Sequence, residues 1–211
     1  MKSKRLALIA VSTLIMGGAG LAGYVWWKTQ RARSISHIAA TGGRTLSLRL
    51  PFHAPHFLQS DPRWKAEHIG QSQTETIGAV GCTLCSLTTA AITLGESIDP
   101  PQLNKMLTAA GGFTPQNWLV WSAVGTVFEK RLEIIVHSNP SHAALDTALE
   151  KGEYPLVKFF LPMGIPHWVL VVGKEGQEYL ILDPAVATPE PLALSTRASG
   201  IYSVRVVRKN S

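Results

Sequence analysis

The chain has 211 residues, 45% of them apolar, a formal net charge of +6, and two cysteines, Cys82 and Cys85. That length predicts one domain plus an additional segment. Two cysteines exclude a disulfide-stapled scaffold, and a four-ligand zinc site would need histidines gathered from distant places. Residues 1–49 carry eight basic side chains (Lys2, Lys4, Arg5, Lys28, Arg31, Arg33, Arg44, Arg49) and no acidic one, which leaves 12 basic against 14 acidic residues beyond them. Basic charge that flanks one segment instead of covering a folded face argues against nucleic-acid binding by the domain.

Residues 6–27 form an uncharged apolar stretch of 22 residues, preceded by Lys2, Lys4 and Arg5 and closed by Tyr24, Trp26, Trp27 and Lys28. It is long enough to span a bilayer and has an interfacial aromatic belt, so residues 1–33 are read as an uncleaved membrane anchor. The competing reading is a signal peptide cut near Gly20-Leu21-Ala22; such peptides have a shorter apolar core of about 7–15 residues. No cysteine follows Leu21-Ala22-Gly23, which closes the lipoprotein route. Basic residues lie on both sides of the stretch, so charge does not set its orientation. Gly17, Gly18, Gly20 and Gly23 would let two such helices approach, a weak signal because glycine is common in these segments. Residues 34–54 read as a linker with one edge strand at 45–50, and the globular domain is expected over residues 55–211.

Within the domain, residues 82–94 predict a buried helix that begins at Cys82 and stops near Gly95. Asp99 and Pro100 mark the start of a second helix that ends at Gly111-Gly112. Asn117 is read as the cap of a third helix running to about Lys130, with Trp118, Trp121, Val124 and Phe128 inward. A short strand at 133–137 and a helix at 141–151 closed by Gly152 follow. Strands are expected at 154–161, 167–174, 177–182 and 201–208. Helices first and an antiparallel sheet afterwards predict an α+β domain of two lobes.

The chemistry centres on Cys82. A thiol after a glycine at a helix N-terminus sits where the macrodipole and unpaired amides favour an anion, which raises its thiolate fraction. His167 and Asp183 follow in chain order, and a cysteine, a histidine and an acid are what nucleophilic acyl transfer requires. Each also has a plain alternative: a core thiol, a half-buried histidine, a turn-forming aspartate before Pro184. His37, His53, His56, His68, His137 and His142 share no spacing and are read as surface residues.

Four stretches together carry a resemblance. They are Leu58-Gln59-Ser60-Asp61-Pro62-Arg63-Trp64; Ile77-Gly78 through Gly81-Cys82; Asp99-Pro100 through Leu103-Asn104 with Gly111-Gly112-Phe113; and His167-Trp168-Val169 with Tyr179-Leu180-Ile181-Leu182-Asp183-Pro184. In that order the sequence resembles the papain-fold cysteine peptidases related to the bacteriocin (double-glycine) leader peptidases, in particular their bacterial C-39-like branch, over about residues 55–207. The resemblance implies a papain-like domain and a thiol protease acting on peptide or amide bonds, with no metal or organic cofactor. It makes Cys82 the nucleophile, His167 the base, Asp183 the residue orienting that base, and Gln59 the amide beside the oxyanion. It also implies an exported domain outside the cytoplasm. No fused transporter is visible, so double-glycine specificity does not transfer. Cys85 departs from the family pattern and creates Cys82-Thr83-Leu84-Cys85, the form of a thiol–disulfide motif. A redox-active protein, and a catalytically silent binder of peptide or cell-wall polymer, are therefore the alternatives to a hydrolase.

Overall fold

In the computed structural model, residues 36–52 and 56–210 are described. The strands are β1 (Ile38–Ala39), β2 (Thr41–Arg49), β3 (Leu132–Val136), β4 (Tyr154–Leu161), β5 (Ile165–Leu182), β6 (Leu192–Ala193), β7 (Gly200–Ile201) and β8 (Ser203–Lys209). The helices are α1 (Ile77–Val80), α2 (Cys82–Thr93), α3 (Pro100–Ala109), α4 (Ser122–Val127) and α5 (His142–Glu150). A sheet ordered β2-β5-β4-β8-β3, with β6 added to β5, is antiparallel at every pairing, and β1 pairs separately with β7. The molecule is α+β, with helices mostly first and sheet mostly last. The anchor expected at residues 6–27 lies outside the described residues. Among the described residues no helix is long and apolar enough to cross a membrane.

The α2 helix is buried along nearly its whole length and packs on β5, because its sequence has no charged residue to place in water. Three of its four threonines are tolerated there because their hydroxyls bond the carbonyl four residues back: Thr88 to Leu84, Thr89 to Cys85 and Thr93 to Thr89. The α3 helix begins as the sequence predicts. Asp99 accepts from the Gln102 N–H while the Gln102 side chain accepts from the Asp99 N–H, a closed capping box with Pro100 first in the helix.

The helix expected over 117–130 is shorter than its apolar spacing suggests. Asn117 has φ +56 and only Ser122–Val127 is helical. Trp118, expected inward, is 69% exposed, because it precedes the helix instead of lying on its face. The runs at 167–174 and 177–182 belong to one 18-residue element, β5. Sixteen extended residues would span about 50 Å, yet His167 near its start touches Asp183 just past its end. The element therefore doubles back, and Gly176, with φ +63, is its only residue in the left-handed region.

Of the segment read as a linker, residues 36–52 hold more structure than one short edge strand. β2 is a nine-residue strand on the sheet edge, interrupted by an irregular register between Thr41 and Leu46. A buried ion pair fastens it to α5. Lys174 Nζ donates to Asp146 Oδ1 at 2.6 Å and to Gly42 O at 2.7 Å, and the Tyr179 hydroxyl donates to the same Asp146 oxygen at 2.9 Å. The Arg44 N–H donates to Asp146 Oδ2 at 2.7 Å, and His142 Nδ1 lies 3.1 Å from the Tyr179 hydroxyl. Gly43, at φ +76, is required here: a Cβ would come within 2.5 Å of Asp146 Oδ2.

Candidate active site

The site begins with a turn that only glycine completes. α1 runs directly into α2 through Gly81, whose N–H bonds Ile77 O at 2.8 Å. A Cβ at Gly81 would lie 2.3 Å from that same carbonyl oxygen, so any larger residue would open the turn. Cys82 is consequently the first residue of α2, where amide N–H groups lack intrahelical partners. Its side chain is 7% exposed. Burial alone would raise the thiol. The His167 ring, by hydrogen bond and by charge, together with the Trp168 N–H and the Thr83 hydroxyl, overrides that and holds Cys82 below the usual thiol range. The Thr83 hydroxyl is 4.0 Å from the sulfur.

His167 stands opposite Phe159 of β4, and the two rings meet in a T-shaped contact, centroids 5.3 Å apart. Its Nε2 is 2.7 Å from Asp183 Oδ1, which leaves Nδ1 for Cys82. Burial pulls the imidazole down, but the hydrogen bonds and charges of Asp183 and Cys82 lift it to about 9. Asp183, fully buried, is pushed up by desolvation and brought net down by His167, the Ala185 N–H and Arg197. The two oxygens divide the work. Oδ1 takes His167 and the Ala185 N–H at 2.9 Å, and Oδ2 takes Arg197 Nε at 2.9 Å. Asp183 is thus a turn former and a partner of His167 at once.

The structure brings Cys82, His167 and Asp183 into one connected line of alternating charge, continued by Arg197. Gln59 joins by its backbone, its N–H donating to Pro184 O at 2.9 Å. Its side-chain Nε2 donates to Gly78 O at 3.0 Å, four residues before Cys82, and its Oε1 is buried with no partner among the described residues. Cys85 is fully buried one turn into α2, and burial, followed by the neighbouring Cys82, raises its thiol well above the usual range. Both cysteines are free thiols.

Two residues at the site escape sequence reading. Arg197 lies 14 positions after Asp183 in a segment with no periodic signal, so only the folded chain pairs them. His56, expected at the surface, is 7% exposed because its Nε2 bonds the Asp183 carbonyl at 3.0 Å. His37 and His68 are exposed and His137 and His142 half-buried, while His53 lies outside the described residues. Among the described residues no group of three or more His, Cys, Asp or Glu side chains is arranged to hold a metal ion. No protein-family model matches the chain, and no curated protein matches it.

Proposed function

We propose that this chain is a papain-like cysteine peptidase, tethered by residues 6–27 to a membrane with its domain outside the cytoplasm, that cleaves peptide or amide bonds. The observation that carries the reading is the line Cys82–His167–Asp183, with the thiol at a helix start and the ring held at 2.7 Å by a buried carboxylate. A thiol held low beside an imidazole held high favours a thiolate–imidazolium pair at neutral pH. In the reaction, the Cys82 thiolate attacks the scissile carbonyl and forms a thioester as the amine departs with a proton from His167. Water, deprotonated by His167, then attacks the thioester, and release of the acid restores the Cys82 thiolate beside a protonated His167. The Cys82 N–H faces the developing oxyanion, and Gln59 keeps one amide proton free for it after serving Gly78 O.

Thiol–disulfide exchange needs no base fixed in one tautomer, so the His167–Asp183 contact favours hydrolysis over a redox role for Cys82-Thr83-Leu84-Cys85. The alkylation rate of Cys82 with pH separates the readings. A thiolate paired with His167 reacts at mildly acidic pH, well below the free-thiol value of about 8.5, and His167→Ala returns it to an ordinary profile. Cys85→Ser leaves both labelling and peptide hydrolysis largely intact. A Cys82 that titrates as an ordinary thiol and ignores His167→Ala would defeat the peptidase reading and favour a silent binder.

A further inference from the structure

A second polar cluster adjoins the site and has no role in the chemistry above. Trp168 follows His167 and stands opposite Lys158 of β4, while Leu156, two residues from Lys158, stands opposite Arg205 of β8. Paired residues and residues two apart share a sheet face, so Trp168, Lys158 and Arg205 project together. The Trp121 and Trp168 rings lie 5.1 Å apart, and the Arg205 guanidinium is 5.6 Å from the first ring centroid and 5.8 Å from the second. Arg205 Nη1 donates to Val204 O at 2.8 Å and more weakly to His137 O at 3.4 Å, whereas its buried Nε has no partner among the described residues.

What the cluster lacks is an acid. Arg44, Arg49, Arg63, Arg131, Arg197 and Arg208 all hold carboxylates. No carboxylate of the described residues acts on Arg205 or Lys158: burial lowers both, and Arg205 lowers Lys158 further. Two half-buried cations side by side without a counter-ion are unfavourable, and a guanidinium framed by indoles, whose Nη2 makes no hydrogen bond among the described residues and is not sealed from solvent, is suited to a carboxylate. The backbone joins this cluster to the helix that carries the nucleophile, since Trp168 follows His167 and its carbonyl accepts from Ser86 Oγ, four residues after Cys82, at 3.2 Å.

We infer that Arg205, with Lys158 and the Trp121–Trp168 pair, binds a carboxylate of the peptide close to the bond that Cys82 attacks, so that acidic peptides are the substrate class. The inference rests on the peptidase reading for the identity of the ligand as a peptide. Its test is binding without turnover: full-length Cys82→Ala protein in detergent, titrated calorimetrically with short peptides. One set exchanges Glu for Gln at each position, and another exchanges a free C-terminus for an amide, which separates a side-chain carboxylate from a terminal one. One acidic form is expected to bind about tenfold or more tightly than its neutral partner, the scale of a charge-assisted hydrogen bond. Arg205→Gln added to this protein erases the difference and leaves neutral peptides bound as before, Arg205→Lys keeps part of it, and Lys158→Met lowers it about threefold. If Arg205→Gln does not fold, Lys158→Met decides.

Equal binding of acidic and neutral forms, a preference untouched by Arg205→Gln (or by Lys158→Met where that variant decides), or no binding at millimolar peptide would overturn the inference. An unreactive Cys82 in the wild type, with the acid preference intact, would remove the peptidase reading and leave the carboxylate site standing.

Discussion

Two buried acid–base clusters sit on the same sheet, and they differ in one respect. Asp146 and Asp183 are both inaccessible, and both are held below the usual carboxylate range by basic partners after burial has pushed them up. The Asp146 cluster is closed. One oxygen takes Lys174 and Tyr179, the other takes the Arg44 N–H, and the remaining Lys174 contacts end on Gly42 O and the Tyr179 hydroxyl. The Asp183 cluster is open, because its line ends on the Cys82 sulfur and not on another saturated group. A buried ion pair is by itself weak grounds for function, since structural networks perturb pKa values too. A perturbed pair that terminates on a nucleophile has something left to do.

The largest expected effects break the comparison in opposite directions. Cys82→Ala lowers peptide hydrolysis by about 10⁴-fold or more and changes stability by only about 1 kcal/mol, because Asp183 still holds the His167 ring when the thiolate is gone. Lys174→Met strands the buried Asp146 carboxylate and costs about 3–5 kcal/mol of unfolding free energy, while kcat per folded molecule stays within a few fold. Paired denaturation curves and active-site-normalised rates check both. Loss of catalysis without loss of stability in Lys174→Met would mean that the closed cluster is not merely a fastening.

A smaller effect tests the geometry that presents the sulfur. Gly81→Ala forces its Cβ against Ile77 O, and overpacking of this kind costs about 1–3 kcal/mol. It also displaces the first residue of α2, so the rate of Cys82 alkylation at mildly acidic pH falls several-fold even where the protein remains folded. An unchanged rate would show that the turn does not set the thiol's position.

These residues also show why some of the molecule was legible and some was not. Gly81-Cys82 before an apolar run announces a thiol at a helix start, and Asp99-Pro100 announces a capped helix, because both are local rules that the chain obeys locally. Apolar spacing misleads at 117–130: Trp118 matches a helical face, but the backbone at Asn117 turns the other way. Arg197 and His56 were invisible because their partners are a carboxylate and a carbonyl far along the chain. Nothing in residues 41–49 hints that Gly43 must accommodate Asp146 and Lys174, so a segment bolted to the domain reads as a linker. Long-range polar contacts leave little local signal, and they supply most of what surrounds the open cluster.

The smallest effect is electrostatic and has a definite sign. His167 is raised to about 9, so the stabilisation it gains from its partners is complete below its free value of about 6.5 and is lost as pH rises through about 9. The Cys82 thiolate runs the other way, contributing above the free-thiol value and losing that contribution as pH falls through its own lowered value. Activity therefore occupies the window between them, with an alkaline limb near 9. Arg197→Met removes a cation from Asp183 Oδ2, while the Ala185 N–H still holds Oδ1. The carboxylate then acts more strongly on His167, and the alkaline limb of kcat moves up by about half a unit while kcat falls a few fold. A mutation that only loosened the fold would lower stability and leave the limb in place. A downward shift would mean that Asp183 leaves the ring when Arg197 is gone, and that the arginine's part is to hold the carboxylate in position.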